Sequence, residues 1–400
     1  MTVRIEKGKA YGAVSAPPSK SFAHRYLIAA ALSGEGGVVH GVSESHDMKA
    51  TLGCVSALGI AYQKEGDTVL IKGQKEGGCF VFPCLESGST LRFFLPLALT
   101  LGESALFTGT PRLFERGVSV YEDVLTPKGI TFHKESASLR VEGKLTAGEY
   151  TLRGDVSSQF ISGLFFALPL LVGDSVLTVL PPVESRSYID ITLDALKTFG
   201  ISIEETEENR FFIRGKQAYT PKEVYTEGDW SNAAFLYGLN TLGGRVTVEG
   251  MKQDSIQGDR VFLSLLEELE RPSPILDLRD CPDLGPLLFA LASVKNGGVF
   301  KGVGRLKIKE SDRVGVMQQE LEKIGAVSRQ EEDTFTVFPS AVHAPTLPFC
   351  SHNDHRIAMS LSLLATCFGG EIEGAEAVGK SYPDFFEVLE QLHIKVTKNA

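Results

Sequence analysis

Long apolar runs are missing from this chain. No stretch approaches the roughly 18 residues that a membrane-spanning helix needs, so a bundle of such helices is excluded. An excess of basic residues is missing as well. The net charge of −10 has the wrong sign for a protein whose general partner is nucleic acid or an anionic membrane. Cysteine is sparse: Cys54, Cys79, Cys84, Cys281, Cys350 and Cys367 are scattered and form no CxxC pair. That spacing offers neither a disulfide framework nor a thiolate metal site. His24 and His355 have no histidine partner at ligand spacing, so no metal is expected. The opening Met1-Thr2-Val3-Arg4-Ile5-Glu6 lacks the basic start and apolar core of an export signal and reads as a strand. Together these absences point to a cytoplasmic chain with reduced thiols.

What is present is length and repetition. A chain of 400 residues exceeds the size at which one core stays single, and two lobes of about 200 residues each are expected. One pattern recurs: a short polar opening, some ten small or apolar residues in helical rhythm, a glycine, then a β-rich stretch. The openings are Ser19-Lys20-Ser21, Ser87-Gly88-Ser89-Thr90, Asp155-Val156-Ser157-Ser158, Asp229-Trp230-Ser231-Asn232, Pro282-Asp283 and Asn353-Asp354-His355. A second, more amphipathic helix usually follows and often ends in glycine plus an apolar residue, as in Leu58-Gly59-Ile60, Phe199-Gly200-Ile201 and Ile324-Gly325-Ala326. The polar stretch Lys216 to Glu223 separates three openings from three, so the chain reads as two triplets. Each opening taken singly is an ordinary N-cap. Six converging helix N-termini, with their unpaired N–H groups, would make an anion trap inside an acidic protein.

Several charged residues stand at the mouths of these helices. Lys20, Ser21 and Arg25 open the first, and Asn353-Asp354-His355-Arg356 opens a nearly apolar one. Lys309-Glu310-Ser311-Asp312-Arg313 precedes an amphipathic pattern, with Ser311 or Asp312 able to cap it. Arg112 and Arg116 mark a further basic point. Asp283 and the Ser157-Ser158-Gln159 group are readable as helix caps or as ligand contacts. Gly374-Ala375-Glu376-Ala377-Val378-Gly379-Lys380-Ser381 fits the formal phosphate-loop pattern. A nucleotide loop, however, needs a helix running straight from its lysine and an α/β unit beyond it. Pro383 delays any helix, and too little chain remains.

Taken in order, Lys20-Ser21-x3-Arg25, Ser87-Gly88-Ser89-Thr90-x-Arg92, Pro111-Arg112-x2-Glu115-Arg116, Ser157-Ser158-Gln159, Ser185-x2-Tyr188-Ile189, Pro282-Asp283, Lys309-Glu310-x2-Arg313, Asn353-Asp354-His355-Arg356 and Lys380-Ser381-Tyr382-Pro383-Asp384 resemble the EPSP synthase (3-phosphoshikimate 1-carboxyvinyltransferase) family over essentially the whole chain. The resemblance implies an α/β fold of two similar lobes. Each would hold three βαβαββ repeats in an inside-out α/β barrel, with the active site in the cleft between the lobes. One lobe would comprise 1–16 plus 226–400 and the other 17–225. It further implies a cytoplasmic monomer of aromatic amino-acid biosynthesis that closes on its small anionic substrates and uses no cofactor.

By the same resemblance, shikimate 3-phosphate contacts Lys20, Ser21, Arg25, Ser157, Ser158, Gln159, Ser185, Tyr188, Asp283 and Lys309. Phosphoenolpyruvate contacts Lys20, Gly88, Arg116, Gln159, Arg313, Arg356 and Lys380. The catalytic residues are Asp283, Glu310 and Lys20: the two carboxyls move the protons, in an order left open, and Lys20 assists the leaving phosphate. Four anionic groups on two substrates need this many Lys and Arg. Glu86, Phe93 and Arg305 depart from residues frequent in the family, and Pro127 turns Thr126-Pro127-Lys128-Gly129 into an expected loop. Gly88 leaves room beside phosphoenolpyruvate and implies sensitivity to glyphosate. The related transferase acting on UDP-N-acetylglucosamine carries a loop cysteine, and Arg112 to Arg116 contains none.

Overall fold

The structure, a computed structural model, describes residues 1–75 and 78–399. The chain divides into two compact units. One is Met1–Pro17 with Gly228–Ala400, the other Pro18–Glu227. Each is built on its own apolar core.

Strands β1 (Thr2–Ile5) and β2 (Tyr11–Ser15) open the chain within the first unit. The second unit begins with α1 (Lys20–Leu32), β3 (Gly36–His40), α2 (His46–Ala57), β4 (Ile60–Glu65) and β5 (Thr68–Lys75). Next come β6 (Val81–Leu85), α3 (Gly88–Leu101), β7 (Ser104–Gly109), α4 (Pro111–Glu115), α5 (Ser119–Leu125), β8 (Thr131–Lys134) and β9 (Ser138–Glu142). The third repeat is β10 (Glu149–Arg153), α6 (Ser158–Ala167), β11 (Ser175–Leu180), α7 (Arg186–Thr198), β12 (Ile203–Glu207) and β13 (Arg210–Ile213). Strand β14 (Glu223–Tyr225) then returns to pair in parallel with β3, supplying the strand that should precede α1. All three sheets of this unit share one order: β14-β3-β5-β4, β6-β7-β9-β8 and β10-β11-β13-β12. Each holds a parallel pair and an antiparallel hairpin; β6–β7 and β10–β11 are joined across a helix, while β14 meets β3 from the far end of the unit. Exposure alternates along β9 and β10, so these sheets bury one face and solvate the other.

The first unit resumes with α8 (Trp230–Thr241), β15 (Arg245–Glu249) and α9 (Phe262–Leu269). It continues with β16 (Ile275–Asp277), α10 (Gly285–Ser293), β17 (Gly298–Lys301), α11 (Arg313–Glu322), β18 (Val327–Gln330) and β19 (Thr334–Phe338). It closes with β20 (Phe349–Cys350), α12 (His355–Phe368), β21 (Gly370–Glu373), α13 (Phe385–Gln391) and β22 (Val396–Asn399). Two sheets keep the common order, β16-β17-β19-β18 and β20-β21-β1-β22, with β1 completing the last one from the other end of the chain. The repeat opened by Asp229 differs: among the described residues it keeps only the parallel pair β2–β15 and lacks the hairpin. Its length shows why, because the openings at 229 and 282 stand closer together than those at 19, 87 and 155.

The polar-opened helices are the buried ones. In α1 every residue from Phe22 to Ala31 is buried, and in α12 every residue from His355 to Thr366. A helix apolar all round has to lie inside. The second helix of a repeat is amphipathic, as α7 shows with Ile189, Ile191, Ala195 and Leu196 inward. It stops at Gly200, whose φ of 84° lets the Gly200 and Ile201 amides reach back to Lys197 and Leu196 carbonyls.

One local expectation needs correcting and one open choice is decided. Thr126-Pro127-Lys128 is not an open loop but a 3-10 turn ending at left-handed Gly129, because Pro127 suits the first turn of a helix. Asp283 does not cap a helix either. Pro282–Leu284 is a 3-10 turn, α10 starts at Gly285, and the Asp283 carboxylate faces cations instead. Among the described residues no helix is long and apolar enough to cross a membrane.

Candidate active site

Side chains at the mouths of the buried helices form one cluster in each unit. In the unit of the first three repeats, Lys20 begins α1 and donates to Asp47 of α2 at 2.8 Å. One turn on, Arg25 is 3% exposed. Its nitrogens reach Thr192 Oγ1 at 2.7 Å, the Ser21 carbonyl at 2.7 Å, the Tyr188 carbonyl at 3.0 Å and Ser162 Oγ at 3.4 Å. All are neutral oxygens; among the described residues no carboxylate forms an ion pair with it. The guanidinium carbon lies over the Phe93 ring, 5.1 Å from its centroid, which gives that departure from the family a contact. Burial pushes the Arg25 pKa down to about 9, with Tyr188 opposing. Physically this is a desolvated cation short of negative charge.

Around the start of α3, Gly88 lies against two guanidiniums: a Cβ there would lie 2.8 Å from Arg92 Nη1 and 3.0 Å from Arg116 Nη2, and those side chains would have to shift. Arg92 donates to Gln159 Oε1 at 2.6 Å and to the carbonyls of Arg116 and Gly117, and Gln159 Nε2 donates to Ser89. Gly88, Arg116 and Gln159 are thereby gathered with Arg92. Ser157 caps α6 by accepting from the Gln159 amide, and Ser158 is buried beside it. Ser185, left-handed and buried, stands before α7, with Tyr188 in its first turn.

The other cluster centres on Arg313, 1% exposed at the start of α11. It donates to Asp283 at 2.8 Å, to Glu310 at 2.9 Å and to Asp354 through Nε at 2.8 Å. Burial lowers its pKa, but Asp354, Glu310 and Asp283 more than offset this and hold it raised. Asp312, rather than Ser311, caps α11 through the Gly315 amide, while Ser311 donates to Asp354. Lys309 lies 3.5 Å from Asp283. Burial brings its pKa down to about 8 against the pull of Asp283, with Arg313 and Arg305 adding to the fall. Buried Arg356 donates to the Ser231 carbonyl, Ser231 Oγ and Asn232, and is 3.5 Å from Asp283. Lys380 donates to the Asn353 carbonyl at 2.6 Å.

Lys380 sits at the end of a 3-10 turn, Ala375–Lys380, and no helix runs on from it until Phe385. The nucleotide-loop reading of Gly374–Ser381 therefore fails on geometry. His24 is buried against Thr51, and no metal-binding group of three or more side chains occurs among the described residues. A groove of about 460 Å³ between Arg4–Lys7, Pro345–Pro348 and Phe368–Glu371 holds none of the candidate residues and has no buried polar side chain.

Sixteen sequence-chosen residues thus fall into two sets. Lys20, Ser21, Arg25, Gly88, Arg116, Ser157, Ser158, Gln159, Ser185 and Tyr188 lie in one unit; Asp283, Lys309, Glu310, Arg313, Arg356 and Lys380 lie in the other. Asp47, Arg92 and Asp354 were not chosen, yet each holds a chosen cation or amide. Arg92 and Asp354 stood within the motifs; Asp47, in the first turn of α2, gave no signal beyond a helix start.

Comparison with known proteins places these features in a family. Residues 5–389 match the family described as EPSP synthase (3-phosphoshikimate 1-carboxyvinyltransferase). A 3-phosphoshikimate 1-carboxyvinyltransferase of Clostridium kluyveri is 40% identical over 415 aligned positions, covering 98% of this chain and 97% of the relative. An EPSP synthase structure from Acinetobacter baumannii superposes with a TM-score of 0.80 at 21% identity, covering 100% of both chains. The enolpyruvyl transferase NikO of Streptomyces tendae superposes with a TM-score of 0.76 at 16% identity, over 99% of this chain and 98% of that one.

Proposed function

Because the chain belongs to the EPSP synthase family, we propose that the residues of both clusters serve enolpyruvyl transfer. The reaction moves the enolpyruvyl group of phosphoenolpyruvate to shikimate 3-phosphate in aromatic amino-acid biosynthesis. The finer reading takes the 5-hydroxyl as acceptor. Protonation of the phosphoenolpyruvate methylene makes the neighbouring carbon cationic, and the hydroxyl oxygen bonds to it while losing its proton. The tetrahedral adduct then expels phosphate and returns the methyl proton, so one C–O bond is formed and one is broken.

The observation that carries this reading is Arg25, a buried guanidinium whose partners are all neutral. Such a group gains most from an incoming phosphate. Shikimate 3-phosphate takes Ser21, Arg25, Ser157, Ser158, Ser185, Tyr188, Asp283 and Lys309, with Lys20 and Gln159 shared. Phosphoenolpyruvate takes Lys20, Gly88, Arg116, Gln159, Arg313, Arg356 and Lys380. Asp283 and Glu310 move the protons, and Lys20, fixed by Asp47, assists the departing phosphate. Arg313 already holds three carboxylates, so it takes an anion by releasing one of them. Glu310, on the guanidinium nitrogen Nη2, is the carboxyl whose release also frees it for proton transfer. The enzyme acts as a cytoplasmic monomer on free small anions, without metal or nucleotide, and Gly88 makes it sensitive to glyphosate.

The test is phosphate release from phosphoenolpyruvate. It is expected to depend strictly on added shikimate 3-phosphate and to ignore ATP, magnesium and UDP-N-acetylglucosamine. Release driven by either nucleotide would overturn the reading.

A further inference from the structure

Between β20 and α12 the chain makes an unusual turn. His352 and Asn353 are both left-handed, with φ of 49° and 55°. Two adjacent non-glycine residues stay in that region only where their surroundings over-determine it. The turn carries the supports of three cations. The Asn353 carbonyl accepts from Lys380 Nζ at 2.6 Å; the Asp354 carboxylate takes Arg313 Nε at 2.8 Å and caps the Arg356 amide at 2.8 Å.

Within the turn the Asn353 amide donates to Ser351 Oγ and the Asp354 amide to the Ser351 carbonyl; from outside, it is held by Glu320, on α11 two turns after Arg313 and only 2% exposed. One carboxylate oxygen accepts the Cys350 amide at 2.9 Å and Lys323 Nζ at 2.7 Å; the other accepts His352 Nε2 at 2.8 Å. A carboxylate can only accept, so the hydrogen lies on His352 Nε2. Burial alone would raise the Glu320 pKa, but the His352, Lys323 and Cys350 donors outweigh it and hold the carboxyl charged. The carboxylate therefore grips the entry to the turn, through the backbone of Cys350 and the side chain of His352.

We propose that Glu320 and His352 are positioning residues, a clamp that holds the left-handed turn so that Asn353 and Asp354 present Lys380, Arg313 and Arg356 correctly to phosphoenolpyruvate. The assignment of those three cations to phosphoenolpyruvate rests on the function proposed above. Neither clamp residue touches substrate.

The experiment compares the full chain with His352→Ala, His352→Gln and Glu320→Gln by steady-state kinetics, melting, and amide hydrogen exchange of the 350–356 segment. His352→Ala is expected to raise KM for phosphoenolpyruvate on the order of tenfold. KM for shikimate 3-phosphate, kcat and the melting temperature should change far less, while exchange at 350–356 quickens. His352→Gln keeps an N–H donor and should recover most of the loss. Unchanged exchange in His352→Ala, an equal rise of both KM values with a lower melting temperature, or a Gln variant no better than Ala would each sink the clamp. If Glu320→Gln fails to fold, the half-buried His352 pair still decides the matter. If the wild-type chain turns over neither substrate, the proposed function fails, while the exchange result still tests the clamp by itself.

Discussion

Arg25 and Arg313 are both buried guanidiniums at the mouths of helices, one in each unit, and their surroundings are opposite. Arg25 is met by hydroxyls and carbonyls, Arg313 by Asp283, Glu310 and Asp354. A buried charge without a counter-charge is held at a cost that an arriving anion relieves. A buried charge surrounded by carboxylates instead organises acids. Under the function proposed above, that difference suits Arg25 to the sugar phosphate and suits the carboxylates around Arg313 to proton transfer.

The sharpest way to break that division is at Glu310. Glu310→Gln is expected to lower kcat by about 10²–10⁴-fold, the usual worth of a positioned acid or base, while both substrates still bind. Turnover at the wild-type rate would remove Glu310 from the proton path. Stability offers a second contrast. Arg313→Met strands Asp354, which is 0% exposed, and should cost about 3–5 kcal/mol in chemical denaturation. Arg25→Met removes a cation with no carboxylate beside it, so stability should hold within about 1 kcal/mol or rise. Equal losses in the two variants would erase the distinction. In kinetics, Arg25→Ala should raise KM for shikimate 3-phosphate on the order of a hundredfold through a lost charge-assisted contact. An effect confined to phosphoenolpyruvate would reverse the assignment.

The smallest expected effect concerns Lys309. Its pKa, brought down by burial to about 8, lies below that of the unfolded chain. Folding therefore disfavours the charged form: the penalty is full below that value and fades as pH rises toward the unfolded one. A bound phosphate favours the charged form, so KM for shikimate 3-phosphate should climb as pH passes about 8. Lys309→Arg should flatten that climb. A climb of the same size in the variant would point to another group.

The repeat was legible because its signals are local. Ser87, Ser157, Asp229 and Asp354 accept from amides two or three residues ahead, and the apolar rhythm that follows them is a property of a few turns. The hairpin absent after α9 among the described residues had been expected, although the shortened spacing from 229 to 282 was legible. The choice between capping and ion pairing at Asp283 was not, since both uses fit a carboxylate beside Pro282. Nor was Asp47, whose partner lies 27 residues away.

By itself the sequence determined which helices are buried, where the polar openings fall, and which side chains stand at those openings. Only the tertiary structure decided what each charge faces. Arg25 reaches Thr192 across 167 positions and Arg313 reaches Asp354 across 41. Helix periodicity and capping are set within about four residues. The charge state of a buried group instead depends on whatever distant chain is packed against it. That is why two arginines at similar openings stand in opposite surroundings.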